Sequence, residues 1–305
     1  MSKKILAMFI IIFTALSITG CEDGEEDTAG PSPYMGGTKG VTAEFEPMGI
    51  EDSGLYSLYE DEEFPIQVLL KNKGEHDIEA GDATVKIYGI LLEDFSGIES
   101  GTKTNSQEIE KISEFNEEGG EEIIDFGQNV KYTQEIPGTF YDLNVFASYT
   151  YSYKTYASVP NVCFKENLRD ERVCTVEESK EIFCSGAPIQ VSSAEEKPAG
   201  SGIIELDFKI ENLGGGRSTI PGQEFSPQYD QVAFTIEPET ERNKWLCRAG
   251  ARENEARLID DKSTIRCKLR EPLEEGALYT KAIGLTLSYD YRDIIQQKIR
   301  IEKEI

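Results

Sequence analysis

Histidine is nearly missing from this chain: His76 is the single one among 305 residues. Any Ser-His-Asp arrangement would have to use it, and no Gly-x-Ser-x-Gly elbow occurs to present a serine. His76 follows Asn72-Lys73-Gly74 and lies between Glu75 and Asp77, so it is expected as an exposed turn residue rather than a general base. Phosphate-cradling loops are lacking as well. There is no Gly-x-Gly-x-x-Gly frame and no P-loop, and Gly214-Gly215-Gly216 reads as a turn between strands with no helix behind it. No Asn-x-Ser/Thr sequon is present, which excludes sequon-directed N-glycosylation. Helical periodicity is missing throughout, and the apolar run from Ile5 to Ile18 is about 14 residues, short of the roughly 20 that cross a bilayer as a helix. These absences lead to the expectation of a protein that is not an enzyme and uses no cofactor.

Positive charge is scarce. The chain has 31 Lys and Arg against 57 Asp and Glu, a formal balance of −26. A field of that sign repels phosphate backbones, so nucleic acid is not an expected partner, and it disfavours adhesion along an anionic membrane surface. Carboxylate runs such as Glu60-Asp61-Glu62-Glu63, Glu93-Asp94, Glu117-Glu118 and Asp260-Asp261 spell no EF-hand loop. They are read as solvated loop charge, and no metal site is expected.

The N-terminus is what the chain does supply. Lys3 and Lys4 precede the apolar run, and Thr19-Gly20-Cys21 closes it, the layout of a secretory signal. Ile18-Thr19-Gly20-Cys21 resembles the lipobox of bacterial-type lipoproteins. That resemblance implies cleavage before Cys21, a lipid on its sulfur, and a membrane contact made through that lipid by an exported protein facing outside the cytoplasm. An ordinary signal with Cys21 incidental, or a retained signal anchor, are the alternatives. From Glu22 to Pro33 the chain is acidic, carries Gly and Pro, and lacks large apolar side chains, so residues 22–39 are expected as a flexible leash.

Beyond the leash about 270 residues remain, enough for two domains that each bury a core. Phe64 to Gly74 alternates apolar and polar residues and ends in Asn72-Lys73-Gly74; Ile204 to Gly214 does the same and ends in Asn212-Leu213-Gly214. The two asparagines are 140 residues apart. So are the closing segments, Leu143 to Tyr151 and Ile283 to Tyr291, each ending in a Tyr-x-Tyr pair. Two separate features at one offset indicate a duplication. Ala83 to Tyr88 matches Val232 to Ile236, and Val130 to Ile136 is taken to match Thr264 to Leu269. The expected fold is all-β, two tandem immunoglobulin-like antiparallel sandwiches over 40–158 and 187–305, with 159–186 as a Cys-containing connector. The strand-and-turn runs Ile66 to Gly74 and Leu206 to Gly214 resemble the CARDB-type immunoglobulin-like repeats of prokaryotic surface proteins, similar to fibronectin type III domains. That resemblance implies a spacer or adhesion module.

Five cysteines follow Cys21. Cys247 and Cys267 lie on neighbouring predicted strands and are expected to pair, and Cys163 and Cys174 bracket a polar loop that a disulfide would staple, leaving Cys184 over. Pairing of Cys184 with Cys163 or Cys174 stays open, because spacing does not fix connectivity. Tyr149, Tyr151 and Tyr153 share one face of a strand and are candidates for a stacking surface, with an inward packing ladder as the other reading. The function expected from all this is a surface lipoprotein acting as spacer or interaction module toward an unknown protein or surface polymer. A solute- or glycan-binding lipoprotein with a pocket at the domain junction is the alternative.

Overall fold

Alternation in the sequence becomes alternation in burial. In the computed structural model, which describes residues 31–170 and 172–304, the strands Phe64–Asn72 and Ile203–Asn212 turn Ile66, Val68 and Leu70, and Ile204, Leu206, Phe208 and Ile210, into the core. The expected signal segment and Cys21 lie outside the described residues. The fold is all-β with several antiparallel sheets; the described helices are one 3-10 turn, Leu92–Asp94, and one short α-helix, Glu239–Arg242.

Eleven strands carry the architecture: β1 (Val41–Phe45), β2 (Phe64–Asn72), β3 (Ala83–Tyr88), β4 (Glu121–Tyr132), β5 (Phe140–Lys165), β6 (Ile189–Gly200), β7 (Ile203–Asn212), β8 (Asp230–Glu237), β9 (Trp245–Ala249), β10 (Lys262–Leu269) and β11 (Leu278–Glu302). One sheet of the first repeat runs β1–β2–β4, and the matching sheet of the second runs β6–β7–β10–β9. Facing both is a single larger sheet with the order β8–β11–β5–β3. The closing strands β5 and β11, 26 and 25 residues long, make it continuous. They pair antiparallel from Leu278↔Lys165 to Glu302↔Phe140. Each reaches into the other repeat. The far end of β11, Lys298–Glu302, pairs in parallel with Leu55–Tyr59 of the first repeat, while Phe164 of β5 packs edge-on against Trp245 of β9 in the second.

The duplication sets the geometry of that ladder. Tyr151 and Tyr291, equivalent residues at the 140-residue offset, are themselves cross-strand partners, so an approximate two-fold axis passes between them. Residues 31–305 form one compact unit. Position 158 falls inside β5, whose residues 159–165 continue the ladder. Pro160, which lacks the amide a central strand needs, sits where the register shifts opposite Lys281 and Ile283. The pairing of middle strands differs from expectation at one place. The counterpart of β10 is the first half of β4, which pairs Gln67↔Asp125 as Asp207 pairs with Arg266, and not Val130 to Ile136. Glu121 and Glu122 open β4, ahead of the buried Ile124 and Phe126.

Candidate functional site

The Asn-x-Gly turns are the best-defined polar constellations of the fold, and they occur twice. Asn72 Oδ1 accepts from the Gly74 amide (3.2 Å) and from the Tyr153 hydroxyl (3.1 Å), while its Nδ2 donates to the carbonyls of His76 (2.7 Å) and Ile109 (3.2 Å). Asn212 Oδ1 accepts from the Gly214 amide (3.2 Å) and the Tyr291 hydroxyl (2.9 Å), and Nδ2 donates to the Gly216 carbonyl (2.9 Å) and Asp230 (3.1 Å). Both asparagines are buried, and all four of their hydrogen-bonding positions are filled. The glycines have a steric reason: a Cβ on Gly74 or Gly214 would overlap the hydroxyl of Tyr153 or Tyr291. These knots fix strand ends, and they went unseen in the sequence because Asn-x-Gly signals a turn without naming the tyrosine that closes it.

The candidate stacking surface of Tyr149, Tyr151 and Tyr153 is corrected by burial. They are 5 %, 2 % and 1 % exposed, so no ring face is open to a ligand. Tyr151 packs against Tyr149, Tyr153 and its partner Tyr291, with ring centroids 5.5 to 6.2 Å apart. Tyr149 reaches Asp293 with its hydroxyl (3.3 Å), and burial raises its ionisation above the ordinary range. The ladder is a packing device at the two-fold axis.

His76 departs from the exposed position expected of it. It is half-buried, edge-on to Tyr153 and Tyr156, with Nδ1 3.1 Å from the Tyr156 hydroxyl. Burial, aided by Lys154, lowers its pKa to about 4, so the ring is neutral at physiological pH. Beside it, the Glu75 carboxylate accepts from the amides of Met35 (3.0 Å), Gly36 (2.9 Å) and Gly186 (2.6 Å). Three charge-assisted bonds tie the end of the expected leash to the segment leading into β6. Fixed structure thus begins before residue 40. Tyr34, Met35, Tyr156 and the exposed Phe115 border a cleft of about 410 Å³ there. In chemical terms the cleft supplies the phenols of Tyr34 and Tyr156 and a Glu75 carboxylate already committed to backbone amides, while His76 contacts Tyr156 without lining the cleft.

The cysteines pair as Cys163–Cys174 and Cys247–Cys267, with Cα atoms 5.7 and 4.0 Å apart. Cys247 and Cys267 are direct partners on β9 and β10. Cys184 is free, and burial pushes its thiol up to about 11, which keeps it protonated and unreactive. Near the first disulfide, Phe164 stacks on the half-exposed Tyr279 (5.1 Å) at the edge of a cleft of about 470 Å³. Burial opposes ionisation of Glu241 in that cleft, but hydrogen bonds from Lys281 (2.5 Å) and Lys244 (3.0 Å) hold its carboxyl below the usual range. Among the described residues no group of three or more His, Cys, Asp or Glu is placed to hold a metal ion, and no helix is long and apolar enough to cross a membrane.

No protein-family model matches the chain, and no curated protein matches it. Among solved structures it is similar to the secreted serine protease VesC from Vibrio cholerae, over 82 % of this chain and 50 % of that one, at 11 % identity and a TM-score of 0.21. The chain thus spans half the length of that structure, and a score this low carries no argument about fold or activity.

Proposed function

We propose that this chain is a non-catalytic lipoprotein, exported and held to a membrane through a lipid on Cys21, whose two repeats form one interaction or spacer body outside the cytoplasm. The observation that carries the reading is the pair of disulfides, Cys163–Cys174 and Cys247–Cys267, since such bonds belong to oxidising compartments. The signal-like start and the Ile18-Thr19-Gly20-Cys21 motif supply the route to that compartment. Two acyl chains suffice for stable anchoring, because each buried methylene contributes about 0.8 kcal/mol. The test is metabolic labelling with an alkyne fatty acid, followed by detergent phase separation. Label and detergent partitioning are expected for the natural chain and lost in Cys21→Ser; label retained by Cys21→Ser sinks the reading. Cross-linking on intact cells with mass spectrometry then identifies the partner.

A second reading, a solute- or glycan-binding lipoprotein, is supported by the cleft beside Phe164 and Tyr279. It predicts that a sugar or small solute raises the melting temperature of the natural chain and not of Tyr279→Ala. A screen without any such shift removes it.

A further inference from the structure

The two repeats share a backbone plan but not a surface. Residues 40–158 hold 7 Lys and Arg against 25 Asp and Glu, whereas 187–305 hold 17 against 21. Three of the seventeen basic residues of the second repeat lie together on the outer face of its own sheet. There Arg248 of β9 and Arg266 of β10 are direct cross-strand partners, and Lys268 follows two residues along β10. Together with Leu246, Thr264 and Glu205 they line a shallow depression of about 500 Å³. Like charges set directly opposite on neighbouring strands destabilise a sheet, and here each arginine has a carboxylate as its cross-strand partner on the other side, Glu253 for Arg248 and Asp207 for Arg266. The fold does not demand these charges. Asp125 occupies in the first repeat the ladder position that Arg266 occupies in the second, opposite Gln67 where the second repeat has Asp207.

We propose that this face docks an anionic polysaccharide, with Arg248, Arg266 and Lys268 binding its carboxylate or sulfate groups. Adjacent strands and alternate residues space the backbone positions of Arg248 and Arg266, and of Arg266 and Lys268, by about 5 and 7 Å, a spread suited to a polymer that carries one anion per repeating unit. A compact anion would need donors that converge, and a protein partner would need a buried aromatic anchor, whereas Leu246 is the largest apolar side chain in the depression. Arg248 is held by Glu253 (2.5 Å) and Arg266 by Asp207 (3.7 Å), but the arginine side chains are half or more exposed. Such pairs contribute about 0 to 1 kcal/mol and yield readily to a bidentate ligand anion. The chain's overall negative charge is screened beyond about 8 Å at physiological ionic strength, so the polymer meets the charges nearest to it, the three cations and the Glu205 carboxylate that line the depression. This deepens the surface role proposed above and rests on it only for where the polymer is met. Binding in solution tests the face, whereas Cys21 labelling tests the anchor.

The experiment measures binding of the full chain, purified in detergent, to polygalacturonate, dextran sulfate, neutral dextran, duplex DNA and poly-glutamate at about 0.15 M salt. The expected result is binding to at least one anionic polysaccharide, none to neutral dextran, and about tenfold or greater weakening in Arg248→Gln/Arg266→Gln. A control pair, Lys86→Gln/Lys298→Gln, changes two exposed lysines on the shared sheet and should leave binding within about twofold. The proposal is overturned if neither anionic polysaccharide binds, if neutral dextran binds as well, if the arginine pair changes nothing, or if the control pair loses as much. DNA or poly-glutamate binding as tightly as the polysaccharides would overturn the assigned partner class.

Discussion

Set side by side, the two repeats agree in what is buried and disagree in what is exposed. Asn72 and Asn212 share three kinds of bond, from a glycine amide, from a tyrosine hydroxyl and to a backbone carbonyl, at turns whose glycines leave room for the hydroxyl. Their surfaces, by contrast, differ by fourteen formal charges between 40–158 and 187–305 (−18 against −4). A buried polar atom without its partner is costly, so the knot is constrained; a surface charge is worth little to stability, so it is free to follow function. Even the knots are not identical. The 140-residue offset equates Tyr151 with Tyr291, yet Tyr153 is the residue that reaches Asn72. The first repeat thus closes its turn from the next inward position along β5, and what the duplication preserved is the bond rather than the residue number.

The comparison breaks most visibly at the asparagines. Asn212→Ala and Asn72→Ala should each cost about 3 kcal/mol, because every truncation strands a buried hydroxyl, an amide and a carbonyl. Asn212 should cost more, since its Nδ2 reaches the Asp230 carboxylate where that of Asn72 reaches a second backbone carbonyl. Urea melts followed by circular dichroism measure both, and equal, near-zero losses would remove the knots from the account of stability. The disulfides come next. Replacing either pair by alanine should cost about 3 kcal/mol, with the 20-residue separation of Cys247–Cys267 exceeding the 11-residue separation of Cys163–Cys174 by about 0.5 kcal/mol. Tyr291→Phe and Tyr153→Phe each remove one hydroxyl, at about 1 to 1.5 kcal/mol. Tyr291 should lead, because its bonds to Asn212 and from the Gly216 amide (2.8 Å) are shorter than those Tyr153 makes to Asn72 and accepts from His76 (3.3 Å).

A further effect, of similar size to the tyrosine substitutions, separates the repeats by pH. His76 stands where the second repeat has Gly216, and its folded pKa of about 4 lies below the ordinary 6.5. Between those values the unfolded chain binds a proton that the folded chain refuses, so stability present above pH 6.5 is lost as pH falls toward 4. After discounting for the solvent that reaches the ring, the loss should be about 1 to 2 kcal/mol. His76→Gln should flatten that part of the stability profile. An unchanged slope between pH 6.5 and 4 would assign the acid sensitivity to other groups.

Much of the fold was legible in the sequence because a half-buried strand must alternate and because a duplication repeats its landmarks. Phe64 to Gly74 and Ile204 to Gly214 gave both the strands and their equivalence. The pairing of Cys247 with Cys267 was legible for the same reason, since residues on neighbouring strands of one sheet face each other. The extension of β5 to Lys165 was not, because Pro160 and Asn161 look like a strand end until a register shift accommodates them. The site was harder still. Nothing in a tyrosine run says which side of the sheet carries the core, and the Glu75 clasp joins amides at 35, 36 and 186, which no local pattern connects.

The β5–β11 ladder also changes what a break in the chain would do. The covalent path between the repeats passes through an exposed loop with Arg169 and Arg172, open to a trypsin-like protease. A cut there lies between Cys163 and Cys174, so the disulfide still links the two pieces. With that bond reduced, the ladder from Lys165 to Phe140 still spans both halves. A nicked molecule therefore behaves as one particle, and the connection that made two repeats into one polypeptide is the part it could best do without.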